Sequence, residues 1–100
     1  MIGSATSVNG VRIRLTAERW IHIVSGHGEL EGMEQDVLGT VAQPERIVSG
    51  GAGEFLAIRE TEPGKYLVAI YREESNDGFI ITAFLTRRVQ SLNKRHQLWP

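Results

Sequence analysis

Three β-prone runs, Glu54–Glu60, Lys65–Arg72 and Phe79–Thr86, follow one another with only short turn-forming stretches between them. Glu62-Pro63-Gly64 has the chemistry of a tight turn, and residues 73–78 (EESNDG) are polar and turn-prone. A parallel connection needs a dozen or more residues, so links this short dictate an antiparallel meander. Phe79–Thr86 is the strongest β-former in the chain, rich in β-branched and aromatic residues. Arg46–Val48 reads as one more short strand, closed by Ser49-Gly50-Gly51-Ala52-Gly53. That Gly-rich stretch is read as a hairpin loop. A phosphate cradle would need a helix start after it, and none follows.

The first half of the chain changes period. Residues 1–9 (MIGSATSVN) are small and polar and read as a frayed end, with Asn9-Gly10 as a turn. Val11–Leu15 alternates apolar residues with arginine, as a half-buried strand does. Thr16 is suited to cap a helix, and Glu18 stands in its first turn. Ala17, Trp20, Ile21 and Val24 then recur at helical spacing, with Gly26 as the stop. A second helix is expected from about Glu31 to Ala42, turning Met33, Val37, Leu38 and Val41 inward and ending before Pro44. From Arg87 onward the pattern fits helix and coil alike, and residues 90–100 read as a basic tail, ordered or not.

The expectation is therefore a single α+β domain over residues 1–100. It has a short N-terminal strand and two helices packed on one face of an antiparallel sheet. The other face is left open, and function is expected there.

Composition sets limits. With 100 residues and 41% apolar content the chain can bury one core. It contains no cysteine, which excludes disulfides and thiolate zinc sites. No apolar run reaches the roughly 18 residues of a membrane span, and no signal-like start is present, so a cytoplasmic protein is expected. The net charge is −1, but its distribution is uneven. The last 22 residues carry Arg87, Arg88, Lys94 and Arg95 with no acid. A basic segment on a neutral domain can meet a phosphate backbone, or it can simply be a solvated polar end.

Four stretches together carry a resemblance. Thr16-Ala17-Glu18-Arg19-Trp20-Ile21-His22-Ile23 is followed by His27-Gly28-Glu29-Leu30, then Lys65-Tyr66-Leu67-Val68, then Phe79-Ile80-Ile81-Thr82-Ala83-Phe84-Leu85-Thr86-Arg87. In this order they resemble a phage- and mobile-element-associated nuclease-like family of the barnase–EndoU–colicin–RelE grouping, across residues 11–89. The family usually has proline at position 28 and tyrosine at position 84, where this chain has Gly28 and Phe84. The resemblance implies a RelE- or barnase-like sheet. It also implies an endoribonuclease that needs no metal or cofactor and leaves a 2′,3′-cyclic phosphate. A toxin or phage-derived effector of this kind acts on RNA, free or ribosome-bound, and a toxin implies a neutralising antitoxin protein.

The residue inventory is sufficient for such chemistry. A base must take the 2′-hydroxyl proton, an acid must protonate the leaving 5′-oxygen, and a cation must stabilise charge on the phosphoryl oxygens. His27, on the best-matched motif and just past a helix end, is the first catalytic candidate; its bland reading is a charged helix C-terminal cap. Glu29 can orient it or share the proton work. His22 pairs with Glu18 at i, i+4, an ordinary surface arrangement. Arg59 and Arg72, on successive strands, are candidate phosphate clamps, or else surface ion-pair partners of Glu54, Glu60 or Glu73. Thr82, Phe84 and Thr86 share one face by the strand period, so two hydroxyls flank an aromatic that can stack a base. Arg87 and Arg88 follow as backbone contacts. Trp20 reads as core, and Trp99 as a stacking residue or a clip for the tail. His22 and His27 are five positions apart, not the four that place two imidazoles on one helical face, so metal binding is not expected. The alternative to an enzyme is a catalytically degenerate domain of the same fold, kept as a binding or interaction module.

Overall fold

A computed structural model describes residues 2–100 and shows an α+β domain. Its strands are β1 (Gly3–Thr6), β2 (Arg12–Leu15), β3 (Arg46–Ser49), β4 (Phe55–Glu62), β5 (Lys65–Glu74), β6 (Asp77–Thr86) and β7 (Gln97–Trp99). The helices are α1 (Ala17–Gly26), α2 (Glu34–Ala42) and the short α3 (Val89–Asn93), with a 3-10 turn at Gly28–Leu30. All seven strands join one sheet in the order β1-β2-β6-β5-β4-β3-β7.

The meander from β3 to β6 is antiparallel throughout, as the short turns require. The sheet as a whole is mixed, because β2 lies parallel to the start of β6. The crossover from β2 through the helices to the meander makes that pairing possible. Residues 3–6, expected to fray, instead form an edge strand. Small side chains let β1 lie against α2, where Gly3 approaches Leu38, and the buried Ser7 closes the hairpin. The Ser7 hydroxyl accepts from the Val11 N–H and donates to Glu73 on β5 at 2.6 Å. The Asn9 amide also donates to Glu73, at 3.1 Å.

The C-terminal segment is likewise ordered into structure. Leu92 of α3 is 3% exposed and packs on Val48, Leu56, Ile58 and Val68. The chain then lays β7 against β3, pairing Trp99 with Ile47. Trp99 is thus part of an edge strand, and the basic residues 94–95 sit on a fixed turn.

The helices differ from expectation in detail. Thr16 caps α1, its hydroxyl accepting from the Arg19 N–H. The buried face is Trp20 and Ile23, with Val24 half-buried, and Ile21 is 70% exposed. The stripe is therefore rotated away from Ala17 and Ile21. The second helix begins at Glu34, not Glu31, because Gly32 takes a left-handed backbone (φ 81°) that interrupts helical continuation. Its inward residues are Val37, Leu38 and Val41, as the spacing predicts, with Met33 packed at the margin.

Two cores result. The larger lies between α1, α2 and one sheet face and contains Ile13, Leu15, Ala57, Leu67, Ala69, Tyr71, Ile80 and Ala83. The smaller lies on the opposite face beneath α3. That face is covered over β3, β4 and Val68 of β5, and is half-exposed over β6 and the rest of β5.

Candidate active site on the open half of the sheet

Strand alternation and register decide which side chains share the open face. A bulge at Ile81 resets β6, so Ile70 faces Thr82, Val68 faces Phe84, and Tyr66 faces Thr86. Ala69, Leu67 and Tyr71 belong to the helix-side core, so these three pairs point the other way. Thr82, Phe84 and Thr86 therefore stand in a row on the open face, each half-buried.

His27 joins this row from the helical layer. It caps the C-terminus of α1, its N–H donating to the Ile23 carbonyl at 2.8 Å. Its own carbonyl accepts from Leu30 at 3.0 Å, which starts the 3-10 turn. Backbone bonds on both sides thus hold the residue in place with Gly28 following it. The imidazole lies 6.3 Å from the Phe84 ring, with the two planes at 35°. Nδ1 of His27 is 3.7 Å from a Glu29 carboxylate oxygen, and both side chains are close to half exposed. This separation is an electrostatic contact, longer than a hydrogen bond.

The remaining candidates divide by position. Thr86 accepts the Arg88 N–H through its hydroxyl at 3.0 Å, which shapes the exit from β6. Arg87 reaches Glu62 at 3.4 Å, and Lys65 approaches the same carboxylate at 3.8 Å. Arg88 is exposed. These cations lie at the Thr86 end of the row. Arg72 is on the open face but at its other end, across from Phe79. It lies four positions along the strand from Val68, about 13 Å away. Its guanidinium donates to the Ala52 carbonyl at 3.1 Å and so secures the Gly-rich hairpin loop.

Arg59 is not brought to this site. It faces Leu67 on the helix side, with its guanidinium beside Gly39 of α2, and lines a hollow with Asp36 and Thr40. Arg59 and Arg72 are on neighbouring strands, but their residue parity puts them on opposite faces. His22 is exposed in a separate hollow with Thr16, Glu18 and Arg19.

Two residues that sequence reasoning passed over do join the open face. Tyr66 stands across from Thr86, and Arg14 of β2 lies beside Phe79 with an ion pair to Asp77 at 2.9 Å. The alternation in Lys65–Arg72 put Tyr66 on the same face as Arg72, but only the register shows that it meets β6 near Phe84. Among the described residues no cluster of three metal-ligating acids or histidines occurs, and no helix is long and apolar enough to cross a membrane.

Comparison with protein-family models, curated proteins and solved structures finds no match to this chain.

Proposed function

We propose that the domain is a metal-independent endoribonuclease of RelE- or barnase-like arrangement, with its reaction centre on the open half of the sheet around His27. The observation that carries this reading is the placement of His27. A proton-transfer group is held by backbone bonds at the margin of an open sheet face, against an aromatic flanked by two threonines.

The chemistry is a transesterification. The base removes the 2′-hydroxyl proton as the 2′-oxygen forms a bond to phosphorus, the P–O5′ bond breaks, and an acid protonates the leaving 5′-oxygen. His27 takes one proton-transfer role, and Glu29 orients or complements it. Thr82 donates to a phosphoryl oxygen, and Phe84 stacks a base. Arg87 and Arg88 supply the cations nearest this end of the row, while Arg72 contacts the RNA backbone farther along. Arg59 has no part in the reaction. As a toxin or phage-derived effector, such an enzyme acts on free or ribosome-bound RNA and is paired with an antitoxin.

The test is incubation of structured RNA with the purified protein and with His27→Ala, with and without a chelator. The expected result is chelator-insensitive cleavage to 2′,3′-cyclic phosphate ends, lost in the variant. Equal cleavage by both proteins, or cleavage by neither, defeats the proposal. One observation favours a second reading, a binding module without catalysis: Phe84, the sheet residue His27 meets, has Val68 across from it, and the arginine on that rung, Arg46, stands three strands away and donates to Asn93. Retained RNA binding with no cleavage by the wild-type protein selects that reading.

A further inference from the structure

We infer that Tyr66 and Phe84 form a two-ring stacking platform that selects single-stranded RNA, with successive unpaired bases resting on the open face. The inference rests on reading this face as an RNA site, and it names the form of RNA the site takes.

The register places the two rings. Tyr66 faces Thr86 and Phe84 faces Val68, so the aromatics occupy diagonal positions on the adjacent strands β5 and β6. Diagonal residues of an antiparallel pair lie about 7–8 Å apart, within reach of aromatic side chains. Both rings are half-buried at the margin of the small core under α3, so each keeps one side packed and leaves the rest of its surface to solvent. The order across the face is His27, Phe84, Tyr66, which sets the platform directly beside the proposed reaction centre.

Charge at both ends of the row fits a polyanion. Arg14, itself paired with Asp77 at 2.9 Å, and Arg72 flank Phe79 at one end, on the strands to either side of β6. Arg87 and Arg88 leave the sheet after Thr86 at the other. Glu62 neutralises part of this charge while holding Arg87 and Lys65 in position. Aromatic rings bracketed by cations suit a strand whose bases are splayed out and whose phosphates run past the basic groups. Bases within a duplex are already stacked on one another and present only edges, which rings on a sheet face do not engage.

The test separates binding from cleavage by using a short 2′-O-methyl oligoadenosine carrying one 2-aminopurine, which has no free 2′-hydroxyl to react. Wild-type protein is expected to bind it and quench the probe. Tyr66→Phe should match wild type, and Tyr66→Leu should bind on the order of ten- to a hundredfold more weakly with little quenching. Leucine keeps apolar bulk over the small core, and a melting curve like that of the wild type shows the variant folded. A complementary duplex should bind more weakly than the single strand. Wild-type affinity in Tyr66→Leu, equal affinity for duplex, or no binding by the wild type each overturns the platform. Binding that depends on Tyr66, together with no cleavage of unmodified RNA, keeps the platform and removes the nuclease reading.

Discussion

The imidazole of His27 lies 6.3 Å from the ring of Phe84, which couples the end of α1 to the C-terminal part of β6. Phe84 and the Glu29 carboxylate, 3.7 Å from Nδ1, are the side chains that set where the ring nitrogens stand. Replacing Phe84 by leucine keeps apolar bulk and removes the flat partner. His27 ring protons should then move in the NMR spectrum as the ring-current contribution of Phe84 disappears. RNA cleavage should fall on the order of tenfold or more, in line with loss of a positioned acid or base. Phe84→Tyr keeps the ring and should retain cleavage. Unchanged His27 resonances in Phe84→Leu would show that the contact does not position the imidazole.

Arg59 and Arg72 give opposite expectations because they stand on opposite faces. Arg59→Ala removes a guanidinium beside α2 and should leave RNA binding and cleavage at wild-type levels. Arg72→Ala should weaken RNA binding and lower its salt dependence, since one phosphate contact is lost. Measuring binding across a salt series checks both. A steeper loss from Arg59→Ala than from Arg72→Ala would reverse the assignment of the open face as the RNA surface.

The meander was legible in the sequence because turn chemistry and strand period are local properties. Pro63-Gly64 and the polar turn before β6 are short turn formers between β-prone runs, and each joins an antiparallel pair. Val37, Leu38 and Val41 were legible for the same reason. What stayed hidden depends on partners distant in the chain. Gly3–Thr6 carries no strand signal of its own and is ordered by pairing with Arg12–Leu15 and by the Ser7–Glu73 bond. Gln97–Trp99 needs β3 as its template. The candidate site divides likewise. Period two put Thr82, Phe84 and Thr86 on one face, but the register of β5 with β6 is what brings in Tyr66, and its register with β4, which pairs Arg59 with Leu67, separates Arg59 from Arg72.

Gly78 of β6 stands between β2 and β5 at a point with no room for a side chain. It pairs with Ile13 on one side and Glu73 on the other. A Cβ there would collide with the Arg72 carbonyl and lie 2.6 Å from Ile13 Cδ1. The backbone atom cannot rotate away, so Gly78→Ala must push β5, β6 or β2 apart. A loss of about 1–3 kcal/mol or more is expected from overpacking, read from urea denaturation. A variant as stable as wild type would mean that the sheet can open at this rung without cost.

Leu92 is the anchor of the C-terminal segment on the small core. Leu92→Ala should destabilise by about 2–5 kcal/mol, the range for deleting a buried leucine. The loss should be local as well as global. The bonds from Arg46 to Asn93, from Arg95 to the Ser49 carbonyl and from the Ser49 N–H to His96 all depend on α3 staying seated. Hydrogen exchange at the Ser49 N–H should therefore accelerate more than exchange in the β5–β6 hairpin. Uniform acceleration would place α3 within the global unfolding unit.

Glu54 ties the Gly-rich loop together and gives stability a pH dependence of known sign. Its carboxylate accepts the Ala52 N–H at 2.7 Å. That bond and one to its own backbone N–H hold its pKa below the ordinary value, with Arg72 and Arg95 contributing further. A folded pKa below the unfolded one, about 4.3 for glutamate, means the folded state favours the ionised form. The stabilisation is complete above the unfolded pKa and is lost as pH falls through the folded one. Glu54→Gln keeps an oxygen to accept from Ala52 but discards the charge. The gap in melting temperature between wild type and Glu54→Gln should therefore be largest near neutral pH and shrink on acidification through the carboxylate range. The shrinkage should persist in high salt to the extent that backbone bonds, the leading cause, outweigh the two arginines. A gap that stays constant with pH would show that the carboxylate charge contributes nothing to holding the loop.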